Sequence, residues 1–307
     1  MEILEKIPNL KENTAVSLGF FDGLHIGHKK LIQTLVNDAK QKGLKSLVYT
    51  FKKHPNTIVD NKSKPITIYS LNDKKRFIKN LGVDILCLLN FDDLQKNIMP
   101  KDFIKNILID SLNMKHLVVG YDFKFGKNAL GNIDLLIEYS KKYSYTYDII
   151  QPVKKDFVRV SSTLIRKLLR NGKIKDANYY LGRKYTIVGE VVDGEKMGRK
   201  LGYPTANLRL DKDFPIIKPG VYITKTYVDG NEYKSVTNVG FNPTFDQRSF
   251  SVETYILDFH QDIYGKLIKV EFHKKIRDEM KFNDVNNLKE YIKWDVYTTK
   301  KHFNLID

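Results

Sequence analysis

Two histidines three residues apart, His25 and His28, flank Gly27 in the stretch Gly19-Phe20-Phe21-Asp22-Gly23-Leu24-His25-Ile26-Gly27-His28. An apolar run precedes it and an amphipathic run follows. Strand end, glycine turn and helix start are therefore fused, with two imidazoles on the turn. That arrangement suits a nucleoside triphosphate. Glycines let the backbone approach a polyphosphate, and a helix start offers free N–H groups and the positive dipole end. The imidazoles add donors that can follow developing charge. A second group, Val160-Ser161-Ser162-Thr163-Leu164-Ile165-Arg166, sets three hydroxyls at a helix start. It reads as an N-cap and equally as a triphosphate clamp completed by the Arg166 guanidinium. A third, Val118 to Gly126, follows a strand and mixes aromatics with one carboxylate, Asp122. Phe123 and Phe125 fit either a core or a slot for a flat ring. Thr50-Phe51-Lys52-Lys53-His54-Pro55 ends another strand at the same sheet edge.

The second half carries a different chemistry. Gly194, Gly198 and Gly202, interleaved with Lys196, Arg199 and Lys200, make a flexible cationic loop. It lacks the Gly-x-x-x-x-Gly-Lys-Ser/Thr order of a P-loop. Pro204-Thr205-Ala206-Asn207 follows. In an extended segment Thr205 and Asn207 point to one side. Their oxygens are hard ligands suited to Mg²⁺. Glu253 alternates with Tyr255 and Leu257 in a strand-like run. On a face that lines a pocket, its carboxylate can accept the proton of a substrate hydroxyl.

The elements that must position these residues follow from periodicity. Apolar runs at 15–20, 46–51, 83–89, 116–119 and 146–150 alternate with helical stripes at 31–39, 72–81, 102–112 and 132–142. This alternation predicts a parallel α/β sheet, Rossmann-like, with ligands at the carboxyl ends of its strands. Two short helices, 162–170 and 174–181, precede a change of pattern near residue 183. Strands at 185–192, 221–228, 233–239, 252–259 and 267–272 follow, with an Asp229-Gly230-Asn231 hairpin turn and one helix near 286–300. Runs of strands joined by short turns predict an antiparallel barrel or sandwich. The expected domains are 1–182 and 183–307.

Composition sets outer bounds. The 307 residues suffice for two cores. A single cysteine, Cys87, excludes an internal disulfide and a cysteine-cluster zinc site. No segment reaches the ~20 apolar residues of a membrane span. The N-terminus, with Glu2 and Glu5, has no apolar signal region, so the chain is expected to be cytoplasmic and without a membrane partner. The net charge of +16 comes from lysines spread along the chain rather than an arginine-rich arm. A positive field suits anionic small substrates as well as nucleic acid, so charge does not separate them; with no basic block interleaved with aromatics, no nucleic-acid partner is expected.

Together the first-half segments resemble the FMN adenylyltransferase domain of bacterial bifunctional riboflavin kinase/FMN adenylyltransferases, the FAD synthetases. That family's pattern is G-x-F-D-G-x-H-x-G-H, F-x-P-H-P, V-G-x-D-F-x-F-G and S-S-T-x-I-R, in this order. Lys53 and Ala129 depart from it. The second-half segments resemble the riboflavin kinase signature, including Pro219-Gly220-Val221-Tyr222, Asn238 to Phe245 and Val252 to Phe259. Asn242 and Tyr255 stand where arginine and histidine are common. The resemblance implies a nucleotidyltransferase-type sheet, a kinase barrel, and ATP, riboflavin and FMN as substrates with Mg²⁺. It implies that Gly19, Phe20, Asp22, Gly23, His25, Gly27 and His28 bind ATP together with Ser161, Ser162, Thr163 and Arg166. Asp122 and Phe125 would belong to the nucleotide and flavin pocket. In the kinase, Gly194, Lys196, Gly198, Arg199 and Gly202 would cover ATP, Thr205 and Asn207 would hold the metal, Glu253 would be the base, and Arg277 would lie near the flavin. A tRNA-ligase-type enzyme shares His-x-Gly-His, but no Lys-Met-Ser-Lys-Ser segment is present. A flavin carrier without catalysis would not need His25, His28 and Glu253.

Overall fold

Strand β2 (Thr14–Leu18) lies at the centre of the first unit, with β3 (Lys45–Phe51) on one side and β5 (Met114–Gly120) on the other. The computed structural model describes residues 1–53, 67–194, 197–210, 217–242, 249–282 and 284–306. His54, Pro55, Lys196 and the Pro243 to Phe245 segment fall outside the described residues. The chain divides into two units, Met1–Ser162 and Thr163–Asp307.

The first unit is a six-stranded sheet in the order β1-β4-β3-β2-β5-β6, with β1 (Glu2–Leu4), β4 (Ile85–Leu89) and β6 (Thr146–Ile150). Every pairing in it is parallel, and a separate short antiparallel pair, β7 (Lys154–Lys155) and β8 (Val158–Arg159), follows it in the chain. Alternation along each strand sends side chains to opposite faces, and both faces are buried. Val16, Leu47, Tyr49 and Cys87 join one core with Ile104 and Leu108. Ala15, Val48, Leu86 and Leu88 join the other with Leu31, Ile32 and Leu35 of helix α1 (Ile26–Lys42). A sheet covered on both faces requires such continuously apolar strands. Cys87 is wholly buried, and burial pushes its thiol up to about 12. It is a packing residue. Helix α2 (Leu71–Asn80) is capped by Ser70, whose hydroxyl accepts from the Asp73 N–H. Residues 103–111 form a π-helix rather than the α-helix their periodicity suggests. Its last turn is closed by the Leu112 N–H donating to the Ile107 carbonyl, five residues back. Helix α3 (Ile133–Tyr143) completes this face.

The second unit begins with helices α4 (Ser162–Arg170) and α5 (Ile174–Leu181), and α5 packs on the barrel. The barrel is closed in the order β10-β13-β12-β11-β14-β9. Its strands are β9 (Tyr185–Val192), β10 (Thr205–Arg209), β11 (Gly220–Val228), β12 (Asn231–Asn242), β13 (Ser249–Ile256) and β14 (Leu267–Arg277). All neighbours are antiparallel. The barrel interior holds an unusual set of hydroxyls. Thr224 Oγ1 lies 2.7 Å from both Ser235 Oγ and Thr237 Oγ1, and Thr237 Oγ1 lies 2.9 Å from Thr254 Oγ1. All four residues are wholly buried, and their mutual hydrogen bonds offset desolvation. Helix α6 (Val285–His302) lies against the outer face of β11 and β12.

Candidate functional site

The first cavity forms where the strand order reverses. From β2 the chain moves outward to β3 and β4 on one side, then returns to β5 and β6 on the other. The loops leaving β2 and β5 diverge here, which opens a crevice at the carboxyl ends of the strands. A cavity of about 230 Å³ occupies it. His25, His28, Gly120, Asp122, Ser161 and Ser162 contribute to its lining.

The loop from β2 to α1 is held in a tight backbone path. Phe21, Gly23 and Leu24 all have positive φ, at 53°, 76° and 41°. Such values are uncommon for phenylalanine and leucine and mark a conformation imposed by surrounding contacts. Asp22 supplies two of these contacts. Its carboxylate accepts the Ile68 N–H at 2.8 Å, and its carbonyl accepts the Ser162 hydroxyl at 2.7 Å. Asp22 is therefore a brace of the loop as well as a member of the motif. His25 is the N-cap of α1, its Nδ1 accepting the His28 N–H at 3.4 Å. With Nδ1 used as an acceptor, a neutral His25 carries its hydrogen on Nε2. The two imidazoles stack with centroids 3.8 Å apart, and Phe21 meets His28 edge-on.

Lys74, which no sequence motif marks, completes the brace. Its Nζ donates to the carbonyls of Phe20 (2.8 Å) and Phe51 (3.2 Å), joining the ends of β2 and β3. The ammonium sits 3.7 Å above the Phe20 ring. Only 5% of Lys74 is exposed. Burial drives its pKa down to about 8, partly opposed by the charge of Asp22. A signal existed: Leu71, Lys74 and Ile78 share the spacing of an apolar helical stripe.

The other predicted residues of this half are distributed unevenly. Asp122 is exposed at the cavity and paired with Arg159 at 2.5 Å. Phe125 is only 7% exposed, packs against Phe103 and Phe123, and does not line the cavity. Ser161 and Ser162 reach the cavity, whereas Thr163 and Arg166 fall in the second unit.

The second site lies on the outer face of the barrel. Cross-strand register places Asn207 opposite Glu253, Glu253 opposite Asn238, and Thr205 opposite Tyr255. Paired residues of antiparallel strands share a face. Thr205, Asn207, Glu253, Tyr255 and Asn238 therefore form one polar patch. The glycine loop approaches it closely. A Cβ on Gly194 would meet the Asn207 amide at 2.3 Å, and one on Gly198 would meet the Tyr203 carbonyl oxygen at 2.4 Å. At Gly198 the obstacle is backbone, whereas at Gly194 the Asn207 amide would have to shift. A cavity of about 250 Å³ opens above the patch, lined by Gly198, Thr205, Glu253 and Tyr255 and roofed by Leu288, Ile292 and Val296 of α6. Arg277 forms one wall. Its Nε and Nη2 donate to the buried Asp295 carboxylate at 3.1 and 2.8 Å, and its guanidinium lies 5.5 Å from the Tyr291 ring centre. Burial raises the Asp295 pKa, while Arg277 opposes the rise. Arg199 borders a neighbouring cavity with Thr205 and Pro204. Gly202 has a φ of 88° and turns the chain into β10. Asn238 and Asp295 are additions that the structure makes to the predicted set.

A parallel sheet with a His-x-Gly-His turn at its switch point defines a nucleotidyltransferase, and the barrel with its Thr–Asn–Glu patch defines a small-molecule kinase. Residues 7–164 match the FAD synthetase family and residues 181–303 the riboflavin kinase family. The chain belongs to the family of bifunctional riboflavin kinase/FMN adenylyltransferases. Relatives so described include one from Buchnera aphidicola subsp. Schizaphis graminum, 37% identical over all of both chains. One from Bacillus subtilis is 36% identical over 96% of this chain and 95% of its own. A crystal structure from Streptococcus pneumoniae, described as a macrolide-efflux protein, superposes with a TM-score of 0.89 at 30% identity, covering 98% of this chain and 99% of that one. Among the described residues here, no helix is long and apolar enough to cross a membrane.

Proposed function

We propose that the barrel phosphorylates riboflavin and that the parallel-sheet unit adenylylates the resulting FMN, each at the site described above. The observation that carries this reading is the pair of complete polar sets in different units: His25 with His28 in one, and Thr205, Asn207 and Glu253 in the other.

In the kinase, the terminal ribityl hydroxyl attacks the γ-phosphorus of ATP and ADP leaves. Glu253 takes the hydroxyl proton, which a strand-borne carboxylate can do with little reorganisation. Asn238 and Asn207 flank Glu253 in register on the same face. Thr205 and Asn207 present hard oxygen donors from one face of β10, a set that fits Mg²⁺. When bound there, Mg²⁺ would neutralise phosphate charge. Gly194 and Gly198 keep the loop backbone close to these donors, so its N–H groups can meet phosphate oxygens. The apolar roof from α6 and the Arg277 wall suit a flat, largely apolar ring.

In the adenylyltransferase, an FMN phosphate oxygen attacks the α-phosphorus of ATP and pyrophosphate leaves. The nucleophile is already anionic, so no general base is needed. Positioning and charge stabilisation carry the rate. The Nε2–H of His25, the His28 ring and the Ser161 hydroxyl supply donors around the start of α1, while the Ser162 hydroxyl donates to the Asp22 carbonyl and holds the loop. Lys74 and Asp22 hold the loop that aims them.

The test separates the flavins formed from riboflavin and Mg-ATP. His28→Ala is expected to stop FAD formation and leave FMN formation. Glu253→Gln is expected to stop FMN formation and leave the conversion of supplied FMN to FAD. Loss of both activities in either folded variant would refute separate sites.

A further inference from the structure

Near the amino ends of β5 and β6, at the opposite edge of the sheet from the nucleotide crevice, three side chains converge. Asp38 comes from α1, His116 from β5 and Asp148 from β6. One ligand atom from each lies within 4.8 Å of the other two. His116 Nε2 is 3.3 Å from Asp38 Oδ2 and 3.4 Å from Asp148 Oδ2. The edge of a tetrahedron with bonds of about 2.0–2.1 Å, the lengths zinc makes to nitrogen and carboxylate oxygen, is about 3.3–3.4 Å.

The hydrogen-bond pattern shows what the imidazole offers. His116 is 1% exposed. Its Nδ1 lies 2.7 Å from Thr146 Oγ1, the residue directly opposite it in register. The Thr146 hydroxyl also lies near the Lys115 carbonyl, an alternative acceptor for its hydrogen. In the tautomer that donates from Nδ1 to Thr146, the Nε2 lone pair is directed between the two carboxylate oxygens. Three ligand atoms then face one another at distances a single cation can bridge.

The geometry points to a binding site for a divalent transition cation of the Zn²⁺ type at Asp38, His116 and Asp148. One imidazole and two carboxylates favour Zn²⁺ or Co²⁺ over Mg²⁺, which prefers oxygen alone. Thr146 plays the part of the outer partner that fixes a ligating ring and its tautomer. Asp148, with its side chain 54% exposed, leaves an entry path and room for water as a fourth ligand. A cation here would clip the fourth turn of α1 to two strands. It would act as a stabilising element of the first unit, independent of either transfer reaction.

The experiment uses the full chain, stripped of metal by a chelator and then saturated with Mg²⁺ to fill the kinase site. Co²⁺ is titrated while visible absorption is followed, and Zn²⁺ is then added as competitor. Thermal unfolding is recorded with and without Zn²⁺. The expected result is the intense visible band of four-coordinate Co²⁺ at one equivalent, its displacement by Zn²⁺, and a Zn²⁺-dependent rise in the melting temperature. Asp148→Asn, a conservative change at an exposed position, is expected to weaken Co²⁺ binding by about 100-fold. Thr146→Val is expected to weaken it by about 10- to 100-fold. A wild-type chain without the band, or an Asp148→Asn chain that keeps it, would overturn the proposal. The triad would then be a polar cluster that holds no cation.

Discussion

Replacing Lys74 by methionine isolates the energetics of the adenylyltransferase loop. In wild type the ammonium is penalised by burial, its pKa falling from 10.5 to about 8. That fall corresponds to about 3 kcal/mol against the charged form. The folded-state value lies below the unfolded one, so the unfolded chain keeps its proton to higher pH. The penalty is fully present below pH 8 and is relieved as pH rises from about 8 to 10.5. Lys74 therefore makes the first unit more stable by about 3 kcal/mol across that window. Lys74→Met removes both the penalty and its relief. It also leaves the Phe20 and Phe51 carbonyls without their donor, at about 1–3 kcal/mol each. At pH 7 these terms nearly cancel, and net stability changes little. The pH dependence changes sharply. Denaturant unfolding of both proteins from pH 7 to 10.5 is expected to show a wild-type-minus-variant difference that climbs with pH. The same variant is expected to lower FAD formation by about 10- to 100-fold, because a loop misplaced by about 1 Å misaligns its donors. FMN formation is expected to be unchanged. A flat stability difference, or full FAD formation by the variant, would refute the reasoning.

Gly198→Ala is expected to reduce kinase activity by about 100-fold with adenylyltransfer intact, since its Cβ would strike the Tyr203 backbone oxygen, which cannot swing aside; initial rates of FMN formation check it. Arg277→Met is expected to cost about 3–5 kcal/mol at pH 7 by stranding the buried Asp295 carboxylate. Without the guanidinium, the folded-state pKa of Asp295 rises further, so the variant loses stability as pH climbs through the carboxylate range; unfolding at pH 4 and pH 7 measures the difference. Thr224→Val is expected to destabilise the barrel by about 1–3 kcal/mol, because Ser235 and Thr237 lose a buried partner; calorimetry reads this directly. Chelation of divalent cations is expected to stop FMN formation and Mg²⁺ to restore it, as judged by flavin separation.

The parallel sheet was legible because its strands are buried on both faces. A continuously apolar run such as Ile85–Leu89 cannot be a half-exposed strand, and the helical stripes between such runs leave few topologies. The π-winding of residues 103–111 was not legible, since one added residue per turn preserves the apolar content on which periodicity depends. Lys74 was not legible for a related reason. A lysine on a polar-looking helix is ordinarily solvated, and only the carbonyls of Phe20 and Phe51, far away in sequence, make burial tolerable.

Part of the barrel departs from the usual reading of alternation, although Tyr222, Val252, Val270 and Phe272 are also buried inside it. Polar residues at every second position normally mark the solvent face, and apolar ones the core. Here Thr224, Thr226, Ser235, Thr237 and Thr254 point inward, and their hydroxyls satisfy one another. Val221, Val236 and Tyr255 point outward, where they pack with Val296 of α6. Period alone assigns Glu253 to the face of Tyr255 but does not say which face that is. A narrow barrel favours β-branched hydroxyl residues inside, where a threonine matches valine in shape and can still bond to its cross-strand neighbour. The apolar positions left outside then need a cover. The stripe Leu288, Ile292 and Val296 supplies it, and the space between cover and strands is the cavity that holds Glu253. The Glu253 patch thus lies between the outward apolar positions of the barrel and a single helix that roofs it without sealing it.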